Sequence, residues 1–112
     1  MIDLNEAAHT SFDVLKQREA NGAVNISTDS WRMLEHMAAE VMETAGAFHS
    51  YLSHLDDKND DKTFESMLAN ELADVIICCL AFAGSHGIDI EFALKDKMHL
   101  NELRANKQGD KL

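Results

Sequence analysis

The chain of 112 residues contains no proline, and its five glycines are scattered, so almost nothing interrupts a helical pattern on backbone grounds. Cysteine is equally scarce. Cys78 and Cys79 are the only two, and they are adjacent inside an apolar run, an arrangement that excludes a CxxC site and disfavours an ordinary disulfide between them. A reducing cytoplasm is the expected compartment. Positive charge is also in short supply: ten Lys and Arg face twenty Asp and Glu, for a formal charge of −10. Such a surface repels a nucleic-acid backbone and an anionic membrane, so neither polymer nor membrane is an expected partner. An anionic small molecule would have to arrive as a metal complex or meet a local basic patch. The first residues, Met1-Ile2-Asp3-Leu4-Asn5-Glu6, lack the basic and apolar regions of an export signal, and no apolar run stands out as long enough to cross a bilayer.

What is present is helical periodicity. A first helix is expected over about Asp3 to Ala20, with Leu4, Ala8, Phe12 and Leu15 on one stripe, ending before Asn21-Gly22. Asn25 to Thr28 then offer N-cap residues for a long second helix, about Asp29 to His54. This is the best-patterned segment: Trp31, Leu34, Met37 or Ala38, Val41, Ala45, Phe48 and Leu52 recur at helical spacing and predict its buried face. Residues 54–62 are charged and turn-forming and read as a solvated loop. A third helix, about Thr63 to His86, is apolar on every side from Leu72 to Ala83 except at Asp74, as befits the centre of an assembly. Gly87 ends it and Asp89 caps a fourth helix running to about Lys107. The expected fold class is all-α, a four-helix-bundle-like single domain over residues 1–112. A chain this short buries enough surface mainly by associating with its own copies.

Two acidic pairs share one spacing: Glu40 with Glu43 on the second helix, and Glu71 with Asp74 on the third. Residues three apart project from neighbouring turns of one helix face. Taken alone, Glu40 and Glu43 would read as ordinary solvent-facing acids. Asp74 is harder to place in solvent, because the helix around it has no polar face. If the two helices pack together, four carboxylates converge with little positive charge between them, and a hard divalent cation is the natural remedy. All-oxygen ligation favours Mg²⁺, Mn²⁺ or Ca²⁺ over zinc. On the fourth helix Lys97, Asn101 and Arg104 share a stripe and offer donors for phosphate oxygens, or else form a solvated face balanced by Asp96 and Glu102.

The ordered set Ala39-Glu40-Val41-Met42-Glu43, Glu71-Leu72-Ala73-Asp74-Val75, Gly87-Ile88-Asp89 and Lys97-Met98-His99-Leu100-Asn101 resembles the MazG-like branch of the all-α nucleoside triphosphate pyrophosphatases. The resemblance covers about Leu34 to Arg104. It implies that Glu40, Glu43, Glu71 and Asp74 bind magnesium, with Mn²⁺ as the substitute, and form the catalytic set. It implies that Lys97 and Asn101 contact phosphates, with Arg104 a weaker transfer. Many members carry a further Glu where this sequence has Ala39. The implied reaction converts a (deoxy)nucleoside triphosphate to its monophosphate and pyrophosphate, as in nucleotide-pool housecleaning, within a homodimer or homotetramer. Glu43 or Glu40 would orient the water, and the sequence does not choose between them.

Several residues carry weaker readings. Trp31 has the chemistry to stack on a nucleobase, although its spacing with Leu34 and Ala38 favours packing. Lys16 and Arg18 lie near the end of the first helix, where they suit either a phosphate tail or the helix C-terminus. Glu6 and His9 form a single ExxH, whereas a di-iron bundle needs two. The other histidines lack zinc-site partners. The competing reading from a different class is a non-catalytic acidic helical module that binds a partner protein or senses a nucleotide.

Overall fold

The structure, a computed structural model, describes residues 2–22, 29–53 and 61–108. Among the described residues every element is a helix: α1 (Leu4–Ala20), α2 (Ser30–Ser53), α3 (Asp61–Ser85) and α4 (Ile90–Gln108). The all-α expectation holds. The proposed caps at Asn25 to Thr28, and most of the expected loop at 54–62, lie outside the described residues. Within them α2 is capped one residue later, by Asp29, whose Oδ1 accepts from the Trp31 and Arg32 amides at 3.0 and 3.2 Å. Asp3 caps α1 in the same way, accepting from the Asn5 and Glu6 amides. Asp89 accepts from the Phe92 amide at the head of α4. The end of α3 is a Schellman turn: Gly87 has φ +64, its amide donates to Gly84, and the Ile88 amide donates to Ala83 at 3.0 Å.

Helices α2 and α3 run antiparallel, and three side-chain contacts fix their register. Ser30 Oγ meets His86 Nε2 at 3.0 Å, Cys79 Sγ meets Met37 Sδ at 3.6 Å, and Thr44 Oγ1 donates to the Glu71 carbonyl at 3.4 Å. The pairs 30/86, 37/79 and 44/71 keep an almost constant sum, so the two helices lie in step over four turns. Helix α1 packs on α3 from another side. That contact is close because Gly84 lacks a side chain: a Cβ there would run into the Ala8 carbonyl oxygen and stand 3.2 Å from Phe12 Cβ. Ala8, Leu80 and Ala83 form the small buried core, with Leu4, Ala7 and Ile90 against it. Helix α4 has α1 as its main packing partner, held through Asn5, which donates to Asp89 Oδ1 at 2.9 Å and accepts from the Glu91 amide at 3.2 Å.

The single chain does not bury the stripe of α2 that its sequence pattern marks as the core face. Met33, Met37, Glu40, Thr44, Ala47 and Tyr51 turn toward α3 instead, and they are buried or half-buried. The stripe one residue further on, Leu34, Ala38, Val41, Ala45, Phe48 and Leu52, is exposed throughout. The two stripes lie about 100° apart on one helix, and the polar Glu40 and Thr44 concealed the first of them from a reading by hydrophobicity. Helix α3 also departs from expectation. As one unbroken helix, its segment Glu65–Ser85 is long and apolar enough to cross a membrane by length and composition, although the core helix of a soluble assembly passes the same test.

Candidate metal centre

The register of α2 and α3 brings the acids together. Oxygens of Glu40, Glu43 and Glu71 all lie within 4.8 Å of one another. Asp74, one turn along α3 from Glu71, is half-buried and close enough for its charge to act on Glu40. Thr44 locks this part of the hairpin, since its hydroxyl bridges the backbone carbonyls of Glu40, at 2.9 Å, and Glu71. His36 Nε2 stands 3.6 Å from Glu40 Oε1, one turn earlier on α2.

Two carboxylate oxygens in the cluster, Glu40 Oε2 and Glu71 Oε2, are buried and have no hydrogen-bond partner. An unsatisfied buried acceptor is costly, and a buried anion more so. Burial pushes the Glu40 carboxyl above its ordinary value of 4.5, and the negative charges of Glu43 and Asp74 push it further, against a smaller opposing pull from His36. The nearness of the Glu43 carboxyl adds a last, smaller contribution to the rise. The same surroundings act on Cys78: burial first, then the charge of Glu40, raises its thiol to about 11. It is therefore protonated and unreactive at neutral pH. These donors fit a hard divalent cation. They are all oxygens, they carry excess negative charge, and two lone-pair sites point at nothing else.

The other predicted site residues are placed differently. Lys97 and Arg104 are exposed on α4 and Asn101 is half-buried there, and no hydrogen bond or ion pair among the described residues joins them to the acids. Lys16 is exposed, pairs with Asp13 at 3.3 Å and lies 4.6 Å over the Phe12 ring. Trp31, for which the sequence favours packing in a core or an interface, is 75 % exposed at the start of α2, beside the capping Asp29. Sequence reasoning missed His36, Thr44 and Cys78. Their signal was one of position, since each lies one helical turn from an acid of the cluster. A cleft of about 80 Å³ adjoins the acids, lined by Leu15, Arg18, Met33, His36, Ile77 and Cys78 among others, and Arg18 brings the positive charge that α4 does not. No family model matches the chain, and no curated protein or solved structure matches it either.

Proposed function

We propose that the chain is a magnesium-dependent nucleoside triphosphate pyrophosphatase of MazG-like type, acting on (deoxy)nucleoside triphosphates in the cytoplasm as a nucleotide-pool housecleaning enzyme. The observation that carries this reading is the pair of buried, unpartnered oxygens on Glu40 and Glu71 inside a cluster of carboxylates held in register by two helices. Glu40, Glu43, Glu71 and Asp74 would hold the cation, with Mg²⁺ preferred and Mn²⁺ able to replace it. When bound, it supplies positive charge that offsets both the acid cluster and the triphosphate. In the reaction a water oxygen forms a bond to phosphorus as the anhydride bond between the α- and β-phosphates breaks. Glu43, the most exposed of the clustered acids, is suited to orient that water and accept its proton. The cleft beside His36 and Arg18 offers apolar walls and one cation to the rest of the substrate.

One observation favours a second reading. Lys97, Asn101 and Arg104 are not brought to the acids within the chain, so a bundle that binds a cation or nucleotide without turnover also accounts for the geometry. Pyrophosphate release from a panel of nucleoside triphosphates, with and without Mg²⁺, separates the two. The enzyme reading expects magnesium-dependent release, lowered at least about a hundredfold by Glu43→Gln and by Asp74→Asn. A folded wild type inactive on the whole panel would transfer the conclusion to the binding module.

A further inference from the structure

The cleft beside the acids has a direction along α3. The Ala8 backbone packs on Gly84, and further on Ser11 lines the cleft with Ala81, and Leu15 with Ile77. The pairs 8/84, 11/81 and 15/77 keep one constant sum, as antiparallel helices in step require, and the same register sets Arg18 level with Asp74. One end of the cleft therefore opens toward the acids. The other end is closed, because Met33 and Ala81 there are only 4 % and 6 % exposed. From Ala81 to Asp74 is two helical turns, or about 10 Å. On the α2 wall, His36 lies one turn from Met33 in the direction of Glu40, which its Nε2 approaches to 3.6 Å. Cleft and acid cluster are thus continuous.

Its closed end is walled by Val14, Leu15, Met33, Ile77 and Ala81, and none of the described residues that line it is a carboxylate. Such walls suit the flat, uncharged face of a nucleobase. Size then decides which base. The cleft encloses about 80 Å³, whereas a sealed apolar cavity of about 150 Å³ holds one benzene ring. Open toward the acids, the cleft seats one six-membered ring and leaves no room for a second ring fused to it. In a pyrimidine nucleotide the sugar is bonded to the six-membered ring itself; in a purine nucleotide it is bonded to the fused five-membered ring. A purine seated to the same depth holds its sugar and phosphates one ring further out, out of register with the acids. A misplacement of about 1 Å is enough to cost about a hundredfold in rate. Ser11, whose hydroxyl both donates and accepts, does not separate cytosine from uracil.

We propose that this cleft is a subsite for a single-ring base, so that the chain takes pyrimidine nucleotides in preference to purine nucleotides. The inference rests on the proposed function for the ligand being a nucleotide, and binding tests it separately from turnover. Deoxycytidine and deoxyadenosine monophosphates, each with Mg²⁺, are titrated into wild type labelled at its methionine and isoleucine methyls and followed by NMR. Deoxycytidine monophosphate is expected to shift Met33 and Ile77, and deoxyadenosine monophosphate to bind at least about tenfold more weakly. In pyrophosphate release, kcat/KM for deoxycytidine and deoxyuridine triphosphates should exceed that for deoxyadenosine and deoxyguanosine triphosphates at least about tenfold, mostly through kcat. Ile77→Ala, which opens the wall at a residue already 49 % exposed, should narrow that ratio by raising purine turnover, a gain that damage to the fold does not produce. If the variant does not fold, the wild-type comparisons decide alone. Equal affinity for the two monophosphates, or methyls that neither one moves, overturns the inference, and so does a purine turned over as fast as a pyrimidine. A wild type inactive on every triphosphate that still prefers deoxycytidine monophosphate at Met33 and Ile77 would sink the enzyme reading and leave the base subsite standing.

Discussion

The two halves of α3 face different chemistry. From Ile77 onward its small and apolar residues meet α1, and Gly84 admits the Ala8 backbone at a distance that no larger residue would allow. Before Ile77 the same helix presents Glu71 and Asp74 to the acids of α2, with two oxygens unsatisfied. One half is organised by the exclusion of side-chain volume and the other by unmet charge. A helix whose sequence is nearly uniform in hydrophobicity can therefore hold a packing junction at one end and a ligand site at the other. The difference comes from what the neighbouring helices bring.

This contrast gives three substitutions opposite expected signs and sizes. Gly84→Ala should have the largest effect, a loss of about 1–3 kcal/mol in denaturant unfolding, because the new methyl meets backbone that cannot rotate away. A neutral result would show that α1 does not sit as closely as described. Asn5→Ala should cost about 1 kcal/mol by removing both the bond to Asp89 and the bond from the Glu91 amide. The Asn5 amide is also the chief reason the Asp89 carboxyl titrates below its ordinary value, so the variant should return that titration upward, as read by NMR. The smallest effect, and the only stabilising one, is expected for Glu40→Gln in the presence of a chelator, a gain within about 1 kcal/mol at neutral pH.

The pH dependence of that gain follows from the raised carboxyl. The folded state holds the Glu40 proton more tightly than the unfolded chain, whose ordinary value is 4.5. Below that value Glu40 does not distinguish the two states. As pH rises through 4.5 and on through the folded value, its share of stability is lost, and it stays lost above. Thermal unfolding of the chelated wild type should therefore show a decline over this window that Glu40→Gln removes and that added Mg²⁺ offsets. An identical pH profile in the two proteins would place Glu40 in ordinary solvent.

Much of the framework was legible in the sequence because it rests on local rules. The absence of proline, the Asp89 cap at the head of α4 and the end of α3 at Gly87 need only a few neighbouring residues to be recognised. The acid cluster was legible for a different reason, since Asp74 had no polar face on which to hide. The facing of α2 was not. Its apolar stripe was read as the inward one, whereas the chain turns Glu40 and Thr44 inward, and only the register 37/79 and 44/71 reveals this. The stripe of Lys97, Asn101 and Arg104 shares the difficulty. Its three residues do share α4, but helical spacing carries no information about which element that helix will lie against.

The same register has a mechanical consequence. Helix α1 runs antiparallel along α3 from the Ala8–Gly84 contact past Ile77, bracing that half of the α2–α3 hairpin, while residues 45–53 and 61–70 continue beyond the acids. Within one chain the hairpin is a beam clamped at one end, and Glu40 and Glu71 lie near the edge of the clamp. A cation drawing those two side chains together would shorten the free length of that beam.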